Sequence, residues 1–231
     1  MLLSDWQSVV HELYQLDSSV PGSSDEDYTV RTNLLKTAIA LWSGEEGVLW
    51  RELWLDLSDA ADGTKVTAAA TTKYSCPSDF NFPGGFVRTK EDGVNWTFWK
   101  VYDQPKSELF KNPTLLEAFC WFTGNKKVGF SVNFSKQPTP GVTLDYPYYK
   151  DPFIPSSSSD VIEMSDPYFA VYYALSKLHE NDGEGDRATV ALAVAESRLA
   201  AMKARNAMMP SYQENYVPDR DLELGISGFG N

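Results

Sequence analysis

The stretch Glu163-Met-Ser-Asp-Pro-Tyr-Phe-Ala-Val-Tyr-Tyr-Ala-Leu-Ser-Lys-Leu178 decides the fold reading, together with the break Asn181-Asp-Gly-Glu-Gly185 and the run from Ala188 to Met209. Asp166 followed by Pro167 is a strong start signal for a helix, because Pro has no N–H to lose in the first turn. The Gly-rich acidic break stops that helix and a second one follows, from Asp186 to Met208. Its Ala-rich face (Ala188, Ala191, Ala195, Ala200 and Ala204) permits close packing, and Pro210 stops it. The pair is a predicted helical hairpin over 166–208.

Working backwards, Asp151 to Asp160 holds Pro152, Pro155 and four consecutive serines, and 151–165 is a predicted linker. Before it, residues 64–150 change character. β-branched and aromatic residues dominate, with turn residues recurring every eight to twelve positions, which is the pattern of short antiparallel strands. Strands are predicted at Lys65–Ala70, Lys73–Ser75, Phe86–Lys90, Trp96–Tyr102, Glu117–Thr123, Lys127–Phe134 and Thr143–Tyr149. Glu91-Asp-Gly93 and Gly124-Asn125 are predicted hairpin turns. Phe130, Val132 and Phe134 alternate with Ser131, Asn133 and Ser135, which gives one buried and one wet face.

Residues 1–63 read as helices. Trp6, Val9, Val10, Leu13 and Leu16 share one helical face, with Ser4 as its N-cap. A second helix begins near Asp25, where acidic side chains suit the helix dipole. It runs through Leu34, Leu35, Ala38, Ile39 and Trp42, and Ser43-Gly44 interrupts it. Val48, Leu49, Leu53 and Leu57 then restore an apolar helical face, with Trp50 and Trp54 as an aromatic strip four residues apart. The predicted class is therefore α+β: a helical bundle formed by N- and C-terminal helices with an inserted antiparallel β-domain. Residues 209–231 form an extended docking tail carrying Tyr212, Tyr216, Leu222, Leu224, Ile226 and Phe229.

The chain has 231 residues and a formal net charge of −12. Nucleic-acid affinity comes largely from Lys and Arg neutralising phosphates, so tight DNA binding is not expected. The two cysteines, Cys76 and Cys120, are too few for a disulfide scaffold and read as reduced, buried thiols. Neither a membrane-spanning helix nor a signal peptide is predicted.

The sequence offers little chemistry. The two histidines, His11 and His179, sit in predicted helices at opposite ends of the chain and read as helix-surface residues. No Cys or His has metal-ligand spacing, and no nucleophile elbow is present. No catalytic, cofactor-binding or metal residue is predicted. Gly84-Gly85 is a turn rather than a phosphate loop. Trp96, Trp99, Tyr102, Trp121 and Phe122 read as core and cross-strand pairs, with a carbohydrate cleft as the competing reading.

Two elements carry a resemblance: Tyr74-Ser-Cys-Pro-Ser-Asp-Phe80, and Asp166-Pro-Tyr168 with its helical hairpin. With Leu34-Leu35, Trp42 and Leu49-Trp-Arg-Glu-Leu-Trp54, they give a pattern over 25–208 that resembles the head-to-tail connector, or adaptor, proteins of tailed bacteriophages. The resemblance implies a structural protein of the virion neck, assembled in the host cytoplasm. It implies a homo-oligomeric ring, commonly of twelve copies, below the portal ring and against the next neck or tail proteins. DNA would pass through the ring without specific binding, and neither a catalytic site nor a cofactor is implied. The alternatives are another ring-forming part, such as a tail terminator or hub component, and a carbohydrate-binding or hydrolytic β-module.

Overall fold

The computed structural model describes residues 1–15, 19–60, 65–90, 95–102 and 118–208. Over these residues the chain is a mixed α/β protein with four helices and a curled β-sheet. The helices are α1 (Leu3–Tyr14), α2 (Glu26–Ser43), α3 (Tyr168–Asn181) and α4 (Gly185–Ala207). Between α2 and α3 lie β1 (Trp54–Asp56), β2 (Lys65–Val66), β3 (Lys73–Ser75), β4 (Phe80–Pro83) and β5 (Val87–Lys90). They are followed by β6 (Trp96–Val101), β7 (Phe119–Asn125), β8 (Gly129–Phe134), β9 (Thr143–Asp145) and β10 (Pro147–Lys150).

One buried core belongs to the helices. Trp6 and Val10 of α1, Leu35, Ile39 and Trp42 of α2, and Phe169, Val171 and Leu175 of α3 meet in it. α4 lies outside this group, packs against α3, and sends in only Ala191, Ala195 and Met202. Ala200 and Ala204, expected on the packed face, are exposed: Met202 and the half-buried Leu199 take the inner positions of the last turns.

The start of α1 also differs from expectation. Ser4 lies inside the helix, and no side chain caps its N-terminus. The free N–H groups of Leu3 and Ser4 instead donate to the carbonyls of Asp160 (2.9 Å) and Ser158 (3.1 Å). Leu2 bridges Val161, and Ile162 N donates to Met1 O at 3.0 Å. The serine-rich segment is thus tied to the first residues of the chain. Asp160 Oδ2 accepts from Ser156 N (2.8 Å) and Ser157 N (2.7 Å), which closes a turn there.

The apolar helical face expected over Val48 to Leu57 is not an α-helix. Residues 51–53 and 57–59 form single 3-10 turns around β1. The physical reason is visible at Trp42, whose carbonyl at the helix end has only a long main-chain bond, from Glu45 N at 3.4 Å. The Trp50 indole N–H donates to it at 2.6 Å, and the two rings pack at 5.3 Å. Gly47 takes a φ of +74°, which an L side chain rarely adopts. Trp54 points elsewhere and packs edge-on against Tyr149 at 5.1 Å. The expected aromatic strip is therefore split: Trp50 is in the helical core, and Trp54 lies at its edge on Tyr149.

The strands form a three-stranded sheet in the order β1-β10-β4 and a seven-stranded sheet in the order β2-β9-β5-β6-β7-β8-β3. The edge strands β2 and β3 are joined by residues 67–72 alone. A flat seven-stranded sheet would separate its edges by about 29 Å, at ~4.8 Å per strand. The connection reaches about 25 Å at most, so the sheet must curl. Tyr74 secures the closure: its hydroxyl accepts from Ala68 N (3.1 Å) and donates to Thr71 O (3.0 Å).

Several strand expectations need correction. β6 and β7 pair in parallel, Lys100 opposite Phe119, so the sheet is not wholly antiparallel. Parallel neighbours require a long crossover, and the chain from Tyr102 to Ala118 provides its length. Residues 143–149 are two strands, one in each sheet. β1 and β4 were not expected. The β7–β8 turn lies at 126–128, one step past the expected Gly124-Asn125, because Asn125 Oδ1 accepts from Lys127 N and Val128 N. The predicted turn at 91–93, Leu16 and Glu117 lie outside the described residues.

Phe80 is the hub of the strand core. Its ring packs against Phe122 (5.3 Å), Phe130 (5.2 Å), Tyr146 (6.3 Å) and Tyr148 (5.5 Å), and it is 2% exposed. Replacing it by Ala removes a large buried ring at a site walled by other rings that collapse poorly. Phe80→Ala is expected to cost ~3–5 kcal/mol, read as a lowered midpoint in urea unfolding; a change below ~1 kcal/mol would show that Phe80 is not the hub.

Candidate interaction surfaces

The reactive side chains expected from sequence are placed as follows. Cys76 and Cys120 are both free and buried. Burial pushes the Cys76 thiol up to about 11 and Cys120 higher still, so neither is a thiolate at neutral pH. His11 is buried, not on the helix surface: Arg31 Nη1 reaches its Nδ1 at 3.3 Å. Arg31 is itself only 1% exposed, and burial lowers its pKa from the usual value. The short face of α1 packs against α2 at this point, which is why His11 and Gln7 are enclosed while Leu13 is exposed. His179 is largely covered and pairs with Glu184 at 2.8 Å. Gly84 lies where a Cβ would meet Pro147 O at 2.7 Å, so Gly84-Gly85 is a close approach between β4 and β10. Tyr212, Tyr216, Leu222, Leu224, Ile226 and Phe229 lie outside the described residues.

Two surfaces stand out, and both were missed from sequence. The first is an open groove of ≈390 Å³ where the end of α1 meets the α3–α4 turn. Its walls are apolar: Leu13, Tyr172, Leu175, Val190 and Val194. Leu13 is 49% and Val190 66% exposed. Carboxylates rim it. Asp186 lines it, Glu184 holds His179 and Arg187, and Asp182 accepts from the Tyr14 hydroxyl. Burial, then Asp182, pushes Tyr14 up to about 12. Asp27 acts electrostatically on both Tyr14 and Arg31, which places the acidic start of α2 at the same end of the helices.

The second surface is the outer face of β5 and β6. Val87, Thr89 and Trp99 turn inward, and the Trp99 indole donates to Thr89 Oγ1 at 3.0 Å. Their neighbours turn outward. Arg88 lies opposite Phe98, and Lys90 opposite Trp96. The Arg88 guanidinium stands 4.3 Å over the Trp96 ring, and Lys90 stands 5.7 Å over the same ring. Phe98 packs on Phe86 at 5.9 Å and is 44% exposed, with Lys100 beside it on the same face. Arg88 is neutralised by Asp145, whose Oδ2 accepts at 2.8 and 2.5 Å. The face is an aromatic ridge flanked by lysines. Of the expected core aromatics, Trp99 is buried, whereas Trp96 is half-buried on this ridge.

The charge follows the same division. Residues 65–150 carry 11 Lys and Arg against 7 Asp and Glu, and the remainder carries 9 against 25. The net −12 is the sum of +4 over residues 65–150 and −16 over the rest of the chain. The run of acidic residues was legible, but a whole-chain total hid its opposite.

No protein-family model matches this chain, and no curated protein matches it. Among the described residues, no group of three or more His, Cys, Asp or Glu is arranged to hold a metal ion, and no helix is long and apolar enough to cross a membrane.

The native protein is expected to react negligibly with an aromatic disulfide reagent at pH 8, while both thiols react once it is unfolded in guanidinium. Rapid reaction of one thiol in the native state would contradict the burial and raised pKa of Cys76 and Cys120.

Proposed function

We propose that this chain is a head-to-tail adaptor of a tailed-phage neck. In this reading the helices are a bundle drawn from both ends of the chain, with the strands as an inserted domain. Copies form a ring below the portal ring, extend the DNA channel and dock the next neck or tail protein. The role is structural, with no catalysis and no cofactor, and the ring is built in the host cytoplasm into the virion.

The observation that carries the reading is the position of the two elements behind the adaptor resemblance: both are joints of the fold. In Tyr74–Phe80, Tyr74 closes the curled sheet, Asp79 Oδ1 accepts from the Tyr148 hydroxyl at 2.9 Å, and Phe80 centres the strand core. In Asp166–Tyr168, Asp166 Oδ1 accepts from Tyr168 N at 3.1 Å and Oδ2 from Arg198 Nη1 at 2.9 Å. Arg198 then lies over the rings of Tyr168 (5.1 Å) and Tyr172 (5.3 Å), clamping α4 to α3. Such residues are constrained by architecture, so their likeness speaks to fold and assembly role rather than to chemistry. The surplus of carboxylates supports passage of DNA without retention, since cationic contacts are what hold duplex.

The tail completes the proposal. Tyr212, Tyr216, Leu222, Leu224, Ile226 and Phe229 are spaced among polar and Gly residues and serve as anchors for a partner. Deleting 211–231 is expected to leave thermal unfolding within a few degrees, on the order of 1 kcal/mol, and to remove the chain from purified particles analysed by mass spectrometry. The full-length chain is expected in those particles in many copies. Normal incorporation of the truncated chain would overturn the tail's role, and absence of the full-length chain would overturn the neck reading.

A further inference from the structure

We propose that copies of this chain associate head to tail, the Phe98 ridge of one copy seating in the carboxylate-rimmed groove of the next. The inference deepens the ring described above and rests on that reading only for where the contact is used. Its grounds are the two surfaces themselves. One offers an exposed aromatic flanked by Lys90 and Lys100; the other offers apolar walls with Asp186, Arg187 and His179 in its lining, where Glu184 pairs with Arg187 and His179 and Asp186 adds a second carboxylate. A groove of ≈390 Å³ admits an aromatic ring with a lysine stem alongside it, within the range of ~300–1,000 Å³ of sites that enclose a ligand.

The two surfaces cannot satisfy each other within one chain. The groove lies at the start of α4. The far end of α4 is bound to the root of the strands, where Asn206 Nδ2 donates to Leu49 O at 2.9 Å and its Oδ1 accepts from Arg51 N at 3.3 Å. The α4 residues that line the groove run from Asp186 to Val194, so at ~1.5 Å per residue the groove and the attachment at Asn206 stand about 18–30 Å apart along the helix. A contact between two different patches is heterologous, and repeating it generates a ring when the rotation closes. Ion pairs at an exposed rim are individually weak, about 0–1 kcal/mol. The contact is therefore weak in the free protein and strengthens as salt falls and the Debye length grows beyond about 8 Å.

The test uses the full chain and sedimentation equilibrium at high protein concentration, in low and in high salt. The wild type is expected to associate in low salt, with the association constant falling at least tenfold in high salt. Lys90→Glu with Lys100→Glu, and separately Glu184→Lys with Asp186→Lys, are each expected to remain monomeric. An equimolar mixture of the two double variants is expected to associate, because each contact in the mixture again joins opposite charges. Phe98→Ala keeps every charge and is expected to weaken association at least tenfold, with an unchanged melting temperature; this variant decides the matter if a charge variant folds poorly. A wild type that stays monomeric at all salts would overturn the proposal. So would a mixture that stays monomeric, or a Phe98→Ala variant that associates like wild type. Capture of a single-stranded oligonucleotide by the ridge without self-association would also overturn it. Any of these leaves the particle-composition test intact, and absence from particles would leave this contact standing.

Discussion

The fold depends on the tie between the first residues of the chain and the segment 156–162. Three main-chain hydrogen bonds hold it: Leu3 N to Asp160 O and Ile162 N to Met1 O, which together make the Leu2–Val161 bridge, and Ser4 N to Ser158 O. They replace the side-chain cap that α1 lacks and position Trp6 against α3. They also deliver Ile162 and Met164 into the helical core. Everything from Gln15 to Lys150 is enclosed between partners of this tie, so the helical core forms only when distant parts of the chain meet. The turn that presents these carbonyls depends on Asp160. Its carboxyl is held below the usual range by the N–H groups of Ser157 and then Ser156. A depressed carboxyl contributes stability above its unfolded pKa and loses it as pH falls towards the folded value. The tie therefore weakens in acid.

The second organising feature is polarity of charge. Residues 65–150 carry an excess of Lys and Arg, and the rest of the chain an excess of Asp and Glu. Long-range forces in such a molecule favour unlike ends meeting over like ends. The groove between α1, α3 and α4 and the ridge on β5 and β6 give those ends apolar surface to bury, which supplies affinity where charge supplies orientation.

The sequence made the helices legible where two signals agreed. Asp166-Pro167 marks the start of α3 to within a residue, and Asn181–Gly185 marks its end, with Gly183 at a φ of +78°. It misled where apolar spacing was the only signal. Val48, Leu49, Leu53 and Leu57 repeat at helical intervals, yet Trp50 turns back onto Trp42 and the chain goes extended. Periodicity cannot distinguish a helix from a segment whose apolar residues serve two cores. Alternation identified β8 cleanly, but nothing local announces a parallel partner for β7 or divides 143–149 between two sheets. His11 and Arg31 show the same limit: they are polar residues on helices, enclosed together where Arg31 Nη1 reaches His11 Nδ1. The ridge was legible as aromatic strand, but its exposure depends on which face the curl turns outward.

A helical core drawn from both ends of the chain, a curled sheet and unlike charge over its two parts support the proposal that this chain is a repeating element of a ring on the phage neck. A reconstruction of the portal vertex, averaged about the channel axis and resolved to side chains, tests it most directly. The account predicts a closed ring of identical copies around the DNA channel, with Phe98 of each copy against Leu13 and Val190 of its neighbour. A single copy, or a ring in which the Phe98 ridge and the α3–α4 groove both face solvent, would contradict it.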